Sequence, residues 1–265
     1  MTLIPSPVRP SRSTQLLTML GRVRLATTRQ LAQMLHGGSG SDSMLRTTRR
    51  DLARLKTDGL VRRFVDRSRD RKVGAPGHVY ALTAAGVRAV RASGGIGTRQ
   101  RRAYRPSPHF IEHRLATTEL LVGLSILERA GELRVLEFVA EPDCWRGSPG
   151  RWLAKPDLLT RLAVGGLEIS WFVEVDLDSE SSTVVEAKCE AYRAYELLGL
   201  EQLRYGVFPG VLFVVPTTKR ATDVARVIRR QPANAQTLFA VAIAGTATAV
   251  MATAGDIPGG HRGPP

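Results

Sequence analysis

Cysteine is nearly missing from this chain. Its 265 residues hold two, Cys144 and Cys189. Neither stands in a paired motif, which argues against a structural zinc site and fits a reducing cytosol. No apolar run approaches the ~18–20 residues that span a bilayer, so no membrane partner is expected. The opening Met-Thr-Leu-Ile-Pro-Ser-Pro has no basic region followed by an apolar stretch, so no secretory signal is expected and the reading is cytoplasmic. No phosphate-cradling glycine loop, serine triad or zinc motif occurs. Acidic residues are scarce in one part only. Residues 1–105 carry 22 Lys and Arg against 5 Asp and Glu, a charge of +17; residues 106–265 carry 16 against 19, a charge of −3. The whole excess of positive charge lies in the N-terminal part, and a polyanion such as DNA or RNA is its commonest partner. No stacking-aromatic motif of the single-strand readers is evident, which favours double-stranded DNA over RNA.

What is present in the basic part is a run of short helices and then a hairpin. Ser13 to Leu20 suits a first helix. Thr27-Thr28-Arg29-Gln30 is a capping-box pattern opening a second, and Gly37-Gly38 stops it. Asp42 or Ser43 can cap a third, which runs to Asp58-Gly59. Strand patterns follow at Leu60 to Val65 and at His78 to Leu82, separated by a basic loop, and Thr83 begins a fourth helix. This is the order of a winged helix-turn-helix over residues 13–92. On the third helix Leu45, Thr48, Leu52 and Leu55 share a core face. Ser43, Arg46, Thr47, Arg50 and Arg54 gather opposite, where arginine can bind guanine and threonine a phosphate or a thymine methyl. Arg67, Arg69, Arg71 and Lys72 would form the wing on phosphate or in the minor groove. The plainer account of such a helix is a solvated arginine face; the order of elements and the +17 balance favour DNA.

Residues 93–108 have the composition of a linker. A second domain, 109–254, opens with a long helix to about residue 130. Strand patterns stand at 133–139, 157–163, 167–177, 211–215, 237–243 and 247–252, with helices at 181–199 and 219–230. Residues 255–265 read as a disordered tail. In the stretch Glu168 to Asp178 the alternation puts Glu174, Asp176 and Asp178 on one strand face, about 7 Å apart. Carboxylates stacked this way repel unless a cation lies between them. Asp157 begins the preceding strand and Lys188 lies in the following helix. The plainer account is a polar sheet face with an ordinary ion pair to Lys188.

The order helix, three strands, helix, strand resembles the core of the PD-(D/E)xK nucleases, and Pro156-Asp157 with Glu174-Val175-Asp176 resembles their motif. The resemblance implies an α/β (α+β) fold, a winged helix-turn-helix followed by a restriction-endonuclease-like domain with a mixed sheet. It implies Asp157, Glu174 and Asp176 as ligands of Mg²⁺ or Mn²⁺, with Lys188 orienting the nucleophile. The lysine of the motif, due two residues after Glu174, is here Asp176, and Lys188 stands in for it. If Lys188 does not serve, the fold is kept and cleavage is lost. Over nearly its whole length the chain also resembles the replication-relaxation family of actinobacterial plasmids and integrative elements. His113-Arg114-Leu115, Pro156-Asp157, the Glu174-Val175-Asp176 strand end, and Lys188 with Tyr192 and Tyr195 carry that likeness. It implies a role in replication and DNA relaxation and supports DNA association more firmly than any reaction; metal-dependent DNA nicking by the second domain is what the nuclease resemblance implies. The rival is a regulator that only binds DNA and uses its second domain for homodimer or partner contact. Tyr192 and Tyr195 share a helix face with Lys188; packing on the sheet is preferred to attack on DNA. His109 and His113, at i and i+4, are spaced to hold a metal, but with no third ligand evident a capping or core role is preferred.

Overall fold

Hydroxyl side chains mark where the helices begin. A computed structural model describes residues 10–38, 41–65, 78–94, 106–148, 150–253 and 260–262. In it Ser11 caps α1 (Arg12–Val23), accepting from the Thr14 N–H at 3.2 Å. Thr27 caps α2 (Thr28–His36), and the Gln30 side chain accepts from the Thr27 N–H at 3.0 Å, completing the expected capping box. The cap of α3 (Asp42–Thr57) is Ser41, not Asp42 or Ser43. Its hydroxyl accepts from the Met44 N–H at 3.4 Å, and the Ser43 hydroxyl lies against it at 2.9 Å. Three short strands, β1 (Ala26–Thr27), β2 (Val61–Val65) and β3 (His78–Leu82), pair antiparallel with β3 in the middle. At two residues β1 is too short to leave an alternation signal. α4 (Ala84–Ala92) follows. Gly86 lets it approach the turn before β2 so closely that a Cβ there would lie 2.1 Å from the Leu60 carbonyl oxygen. Thr48, Leu52 and Leu55 of α3 are buried in a core with Leu16 and Leu20 of α1 and Leu31 of α2, while Leu45 is half-buried.

The chain divides into two compact units, Met1–Leu115 and Ala116–Pro265, and the division falls within α5 (Pro108–Arg129). In the second unit come β4 (Arg134–Ala140), the hairpin β5 (Arg146–Ser148) and β6 (Arg151–Ala154), β7 (Leu158–Val164), and β8 (Leu167–Val175). Then follow α6 (Ser182–Glu196), α7 (Leu200–Tyr205), β9 (Gly210–Val215), α8 (Thr218–Ile228), α9 (Ala233–Gln236), β10 (Phe239–Ile243), α10 (Ala247–Met251) and β11 (Gly260–Arg262). The sheet runs β10-β9-β8-β7-β4, and β11 pairs with β8. β8, β9 and β10 are mutually parallel, and β7 is antiparallel to both β8 and β4. The fold is therefore mixed α/β with a mixed sheet.

Both faces of β8 are buried, because elements cover the sheet on each side. On one face Phe172 packs with Val185, Cys189, Tyr192 and Tyr195 of α6 and with Val224 and Val227 of α8. On the other, the Trp171 indole N–H donates to the Met251 carbonyl at 3.2 Å. Met251 closes α10, where the sequence pattern pointed to a strand at 247–252. Alanine favours helix, and a short apolar run does not distinguish the two by periodicity; Ala247 and Met251, one turn apart, are the buried residues of α10. The strand expected at 167–177 ends at Val175, because Asp176 turns the chain: its Oδ1 accepts from the N–H of Asp178 at 2.8 Å and of Ser179 at 3.2 Å. The helix expected at 181–199 ends at Glu196, and Gly199, at φ 68, leads into α7. Within the stretch read as a disordered tail, Gly260–Arg262 form β11. The wing residues Arg67, Arg69, Arg71 and Lys72, and linker residues 95–105, lie outside the described residues.

Candidate nucleic-acid interface and acidic site

α3 turns its leucines inward and its arginines outward. Ser43, Arg46, Arg50 and Arg54 are exposed and Thr47 is half-buried, as the helical period requires. Arg49 and Lys56 are exposed on the same helix and widen the basic surface. Neither was picked out from the sequence, although Arg49 stands beside Arg50 in the Thr-Thr-Arg-Arg run. One charge on α3 is balanced within the unit: Asp51 accepts from Arg12 at 3.1 Å. In β2 the Arg62 guanidinium lies 4.8 Å over the Phe64 ring.

The acidic site is built by register. Ala140 of β4 pairs with Leu158 of β7, and Leu158 pairs with Val173 of β8. One step beyond these pairs stand Glu141, Asp157 and Glu174, at three neighbouring strand ends. The Asp157 backbone is tied to both sides: its carbonyl accepts from the Glu141 N–H at 3.0 Å, and its N–H donates to the Val173 carbonyl at 3.0 Å. Its side-chain Oδ2 accepts from the Val175 N–H at 2.8 Å. Carboxylate oxygens of Glu141 and Asp157 lie within 4.8 Å of each other. Glu174 is 2 % exposed and Asp157 9 %, so these acids are not a solvated sheet face.

α6 supplies the groups that answer Glu174. Lys188 donates to Glu174 Oε2 at 2.7 Å and to Glu180 Oε1 at 2.6 Å. The Tyr192 hydroxyl donates to Glu174 Oε1 at 2.5 Å. Burial and then the charge of Asp157 push the Glu174 carboxyl up to about 7, against the pull of Lys188 and Tyr192. Burial alone would lower the Lys188 ammonium; the carboxylates of Glu174 and Glu180 overcome it and raise its pKa, so the lysine stays charged. Burial and Glu174 together raise the Tyr192 phenol well above its ordinary value. Tyr195 is buried as well and donates to Glu201 Oε1 at 2.5 Å. Both rings pack beside Phe172, at centroid distances of 5.7 and 6.4 Å.

The structure thus brings Asp157, Glu174 and Lys188 together and leaves Asp176 apart from them. Asp176 Oδ2 accepts from Arg220 Nε at 2.7 Å and from Nη2 as well, and Arg220 also donates to the Glu180 carbonyl at 2.7 Å. The strand alternation placed Asp176 with Glu174, but the chain has left the strand at Val175. Two residues of the site were missed from the sequence. Glu141 carries no motif and becomes visible only through the β4–β7 register. Arg220 lies 44 residues from Asp176 and only tertiary contact links them.

The raised Glu174 carboxyl has a consequence for stability. A carboxyl whose folded pKa is raised contributes stability that is fully present below its ordinary value of 4.5 and is lost as pH rises through about 7. In buffer containing a chelator, the melting temperature is expected to fall between about pH 5 and pH 8, and Glu174→Gln is expected to flatten that fall. An unchanged slope in the variant would place the titration elsewhere.

The first unit thus carries the exposed basic face of α3, and the second a buried acid cluster at three neighbouring strand ends. The family model described as replication-relaxation matches residues 17–211, and the chain belongs to that family. The match takes in α3, Asp157, Glu174, Asp176 and Lys188 and ends before Arg220. Membership points to a role in replication and DNA relaxation and implies interaction with DNA. No curated protein and no solved structure matches the chain. Among the described residues no helix is long and apolar enough to cross a membrane.

Proposed function

We propose that the protein binds duplex DNA through the first unit, which we read as a winged helix-turn-helix with α3 in the major groove. The observation that carries this is the exposed arginine face of α3 over a buried leucine stripe. The antiparallel hairpin β2–β3 after three helices supports it, being the order of that motif. Arg50 lies at the centre of the face, and Arg71 is a residue that the sequence pattern assigns to a wing. Arg50→Ala is expected to weaken the preferred site by about 1–3 kcal/mol and to relax its selectivity. Arg71→Ala is expected to weaken all sequences alike. Binding of a random duplex library, sequenced before and after selection, checks both; equal, sequence-independent losses would show that α3 is not the recognition helix.

A second reading rests on the acid cluster: the second unit is a PD-(D/E)xK-like domain that nicks DNA with a divalent ion. Glu141 and Asp157 offer hard oxygen donors of the kind that hold Mg²⁺ or Mn²⁺, and Glu174 stands beside Asp157 with its oxygens accepting from Lys188 and Tyr192. The mutual repulsion that helps push Glu174 up is what such an ion relieves. When bound, the ion would make water more acidic and offset charge on the phosphate. Lys188, held at the edge of the cluster by Glu174 and Glu180, would approach the phosphate or the nucleophile. Asp176 does not join this set, because Arg220 and two backbone N–H groups occupy it. The rival, a regulator that binds DNA without cutting it, draws on Leu197, Leu198, Leu200 and Leu203, all exposed where α6 meets α7 and open to contact by a second copy. It requires that metal and Asp157 be without effect on each other.

A further inference from the structure

Between Glu141 and Asp157 the chain leaves the sheet and returns to it, and these two residues' carboxylates lie within 4.8 Å of each other. The excursion therefore springs from the acidic site. It folds as the hairpin β5–β6, whose base is fastened inward. Arg146 donates to Glu201 Oε1 at 2.6 Å and to the Cys144 carbonyl at 3.0 Å, with its guanidinium 5.4 Å over the Phe172 ring. The Cys144 thiol donates to the Pro156 carbonyl at 3.0 Å. β6 packs on α6, the helix that carries Lys188.

The outer part carries different groups. Trp145 and Trp152 meet edge to face, with centroids 5.3 Å apart and planes at 73°. The Lys155 ammonium lies 5.6 Å from the Trp145 ring centroid. Gly147 stands opposite Trp152 at φ 114, and a Cβ there would lie 2.5 Å from the Arg151 carbonyl oxygen, so no side chain crowds that position. Arg151 and Lys155 are exposed and both indoles are half-buried, Trp145 packing inward against the core of the second unit and so backing Trp152. A fixed, half-buried indole flanked by cations is what an unpaired nucleobase and its phosphate need: stacking is indifferent to base identity, and lysine and arginine track the backbone. Nothing in the linear sequence marked this, because the two tryptophans come together only across the bulged hairpin.

We propose that the β5–β6 hairpin is a binding platform for an unpaired segment of DNA, with Trp152, buttressed by Trp145, as the stacking group and Arg151 and Lys155 on phosphate. The proposal rests on the reading of the adjacent acids as a DNA site, and it makes their substrate a strand that is locally single. The third tryptophan, Trp171, is fully buried and bonded to Met251, so quenching of indole emission reports the hairpin alone.

The full-length protein is titrated with a single-stranded oligothymidylate of about 16 nucleotides. Saturable quenching of tryptophan emission is expected. Trp152→Leu should weaken single-strand binding about tenfold or more, while Trp152→Phe, which keeps a ring, retains most of it. Lys155→Ala should weaken it severalfold and make its salt dependence shallower, so that the loss is largest at low salt. Duplex affinity of all three should stay within about twofold of the parent, since α3 is untouched. Unchanged emission on addition of oligothymidylate overturns the proposal, as does equal single-strand affinity for Trp152→Leu and the parent, or equal loss in Trp152→Leu and Trp152→Phe. A parent that is stabilised by metal yet shows no quenching sinks the platform alone; quenching without any metal effect sinks the reading of the acids and leaves the platform standing.

Discussion

Arg220→Met is expected to destabilise the second unit by about 3–5 kcal/mol, a large share of an ordinary domain's stability. The reason is what the substitution leaves behind. Asp176 is 1 % exposed, and its Oδ2 has the Arg220 guanidinium as its partner. Removing the cation strands a carboxylate in a site from which water is excluded. The same arginine donates to the Glu180 carbonyl, so the turn between β8 and α6 loses a tie as well. Urea unfolding followed through the buried Trp171 measures the loss. Arg220→Met combined with Asp176→Asn should recover part of it, because the amide removes the stranded charge and keeps an oxygen to accept from the Asp178 and Ser179 N–H groups. A loss under about 1 kcal/mol for the single variant would mean that Asp176 is not locked in this pair and is available as a ligand.

The second large effect concerns Asp157. Mn²⁺ at 100 times its dissociation constant is expected to add about 2.7 kcal/mol to the folded state of the parent. Asp157→Asn should abolish that gain and any nicking of supercoiled plasmid with it, while duplex affinity stays the same. Lys188→Ala should spare the metal effect and reduce nicking, since its ammonium faces Glu174 as a cation and holds no metal itself. Asp176→Asn should lower stability but leave the metal-induced shift in place. Scanning calorimetry with and without Mn²⁺, beside gel analysis of the plasmid, reads all of these. If metal leaves the parent's melting temperature unchanged and Asp157→Asn melts like it, the acids are a buried structural cluster, and the DNA-binding regulator is the better account.

The regularities of helix and strand made much of this chain legible. The capping box at Thr27 and Gln30, the leucine stripe of α3 and the apolar runs of β7, β8 and β9 each stand where local pattern put them, because each is dictated by neighbours in sequence. That Asp157, Glu174 and Lys188 come together was legible for the same reason: a strand end, a strand face and a helix face are local properties. What was not legible depends on contacts between distant segments. Glu141 joins Asp157 only through strand register. Asp176 leaves Glu174 because its own side chain caps the turn after β8 and then meets Arg220 from α8. The helix α10 reads as a strand in isolation, since alanine, valine and methionine in five residues fit either. The hairpin β5–β6 carries too little alternation to announce itself, and so the pairing of its tryptophans was invisible.

Fluorescence anisotropy of a labelled duplex, titrated with the full-length protein across a salt series, tests the central claim that α3 presents the protein to DNA. If about six phosphates are contacted, log K falls with log salt at a slope near −5, and replacing Arg46, Arg50 and Arg54 together with alanine makes that slope shallower by up to about 3 and weakens binding at every salt concentration. A flat salt dependence, or a triple variant that binds as the parent does, would contradict it.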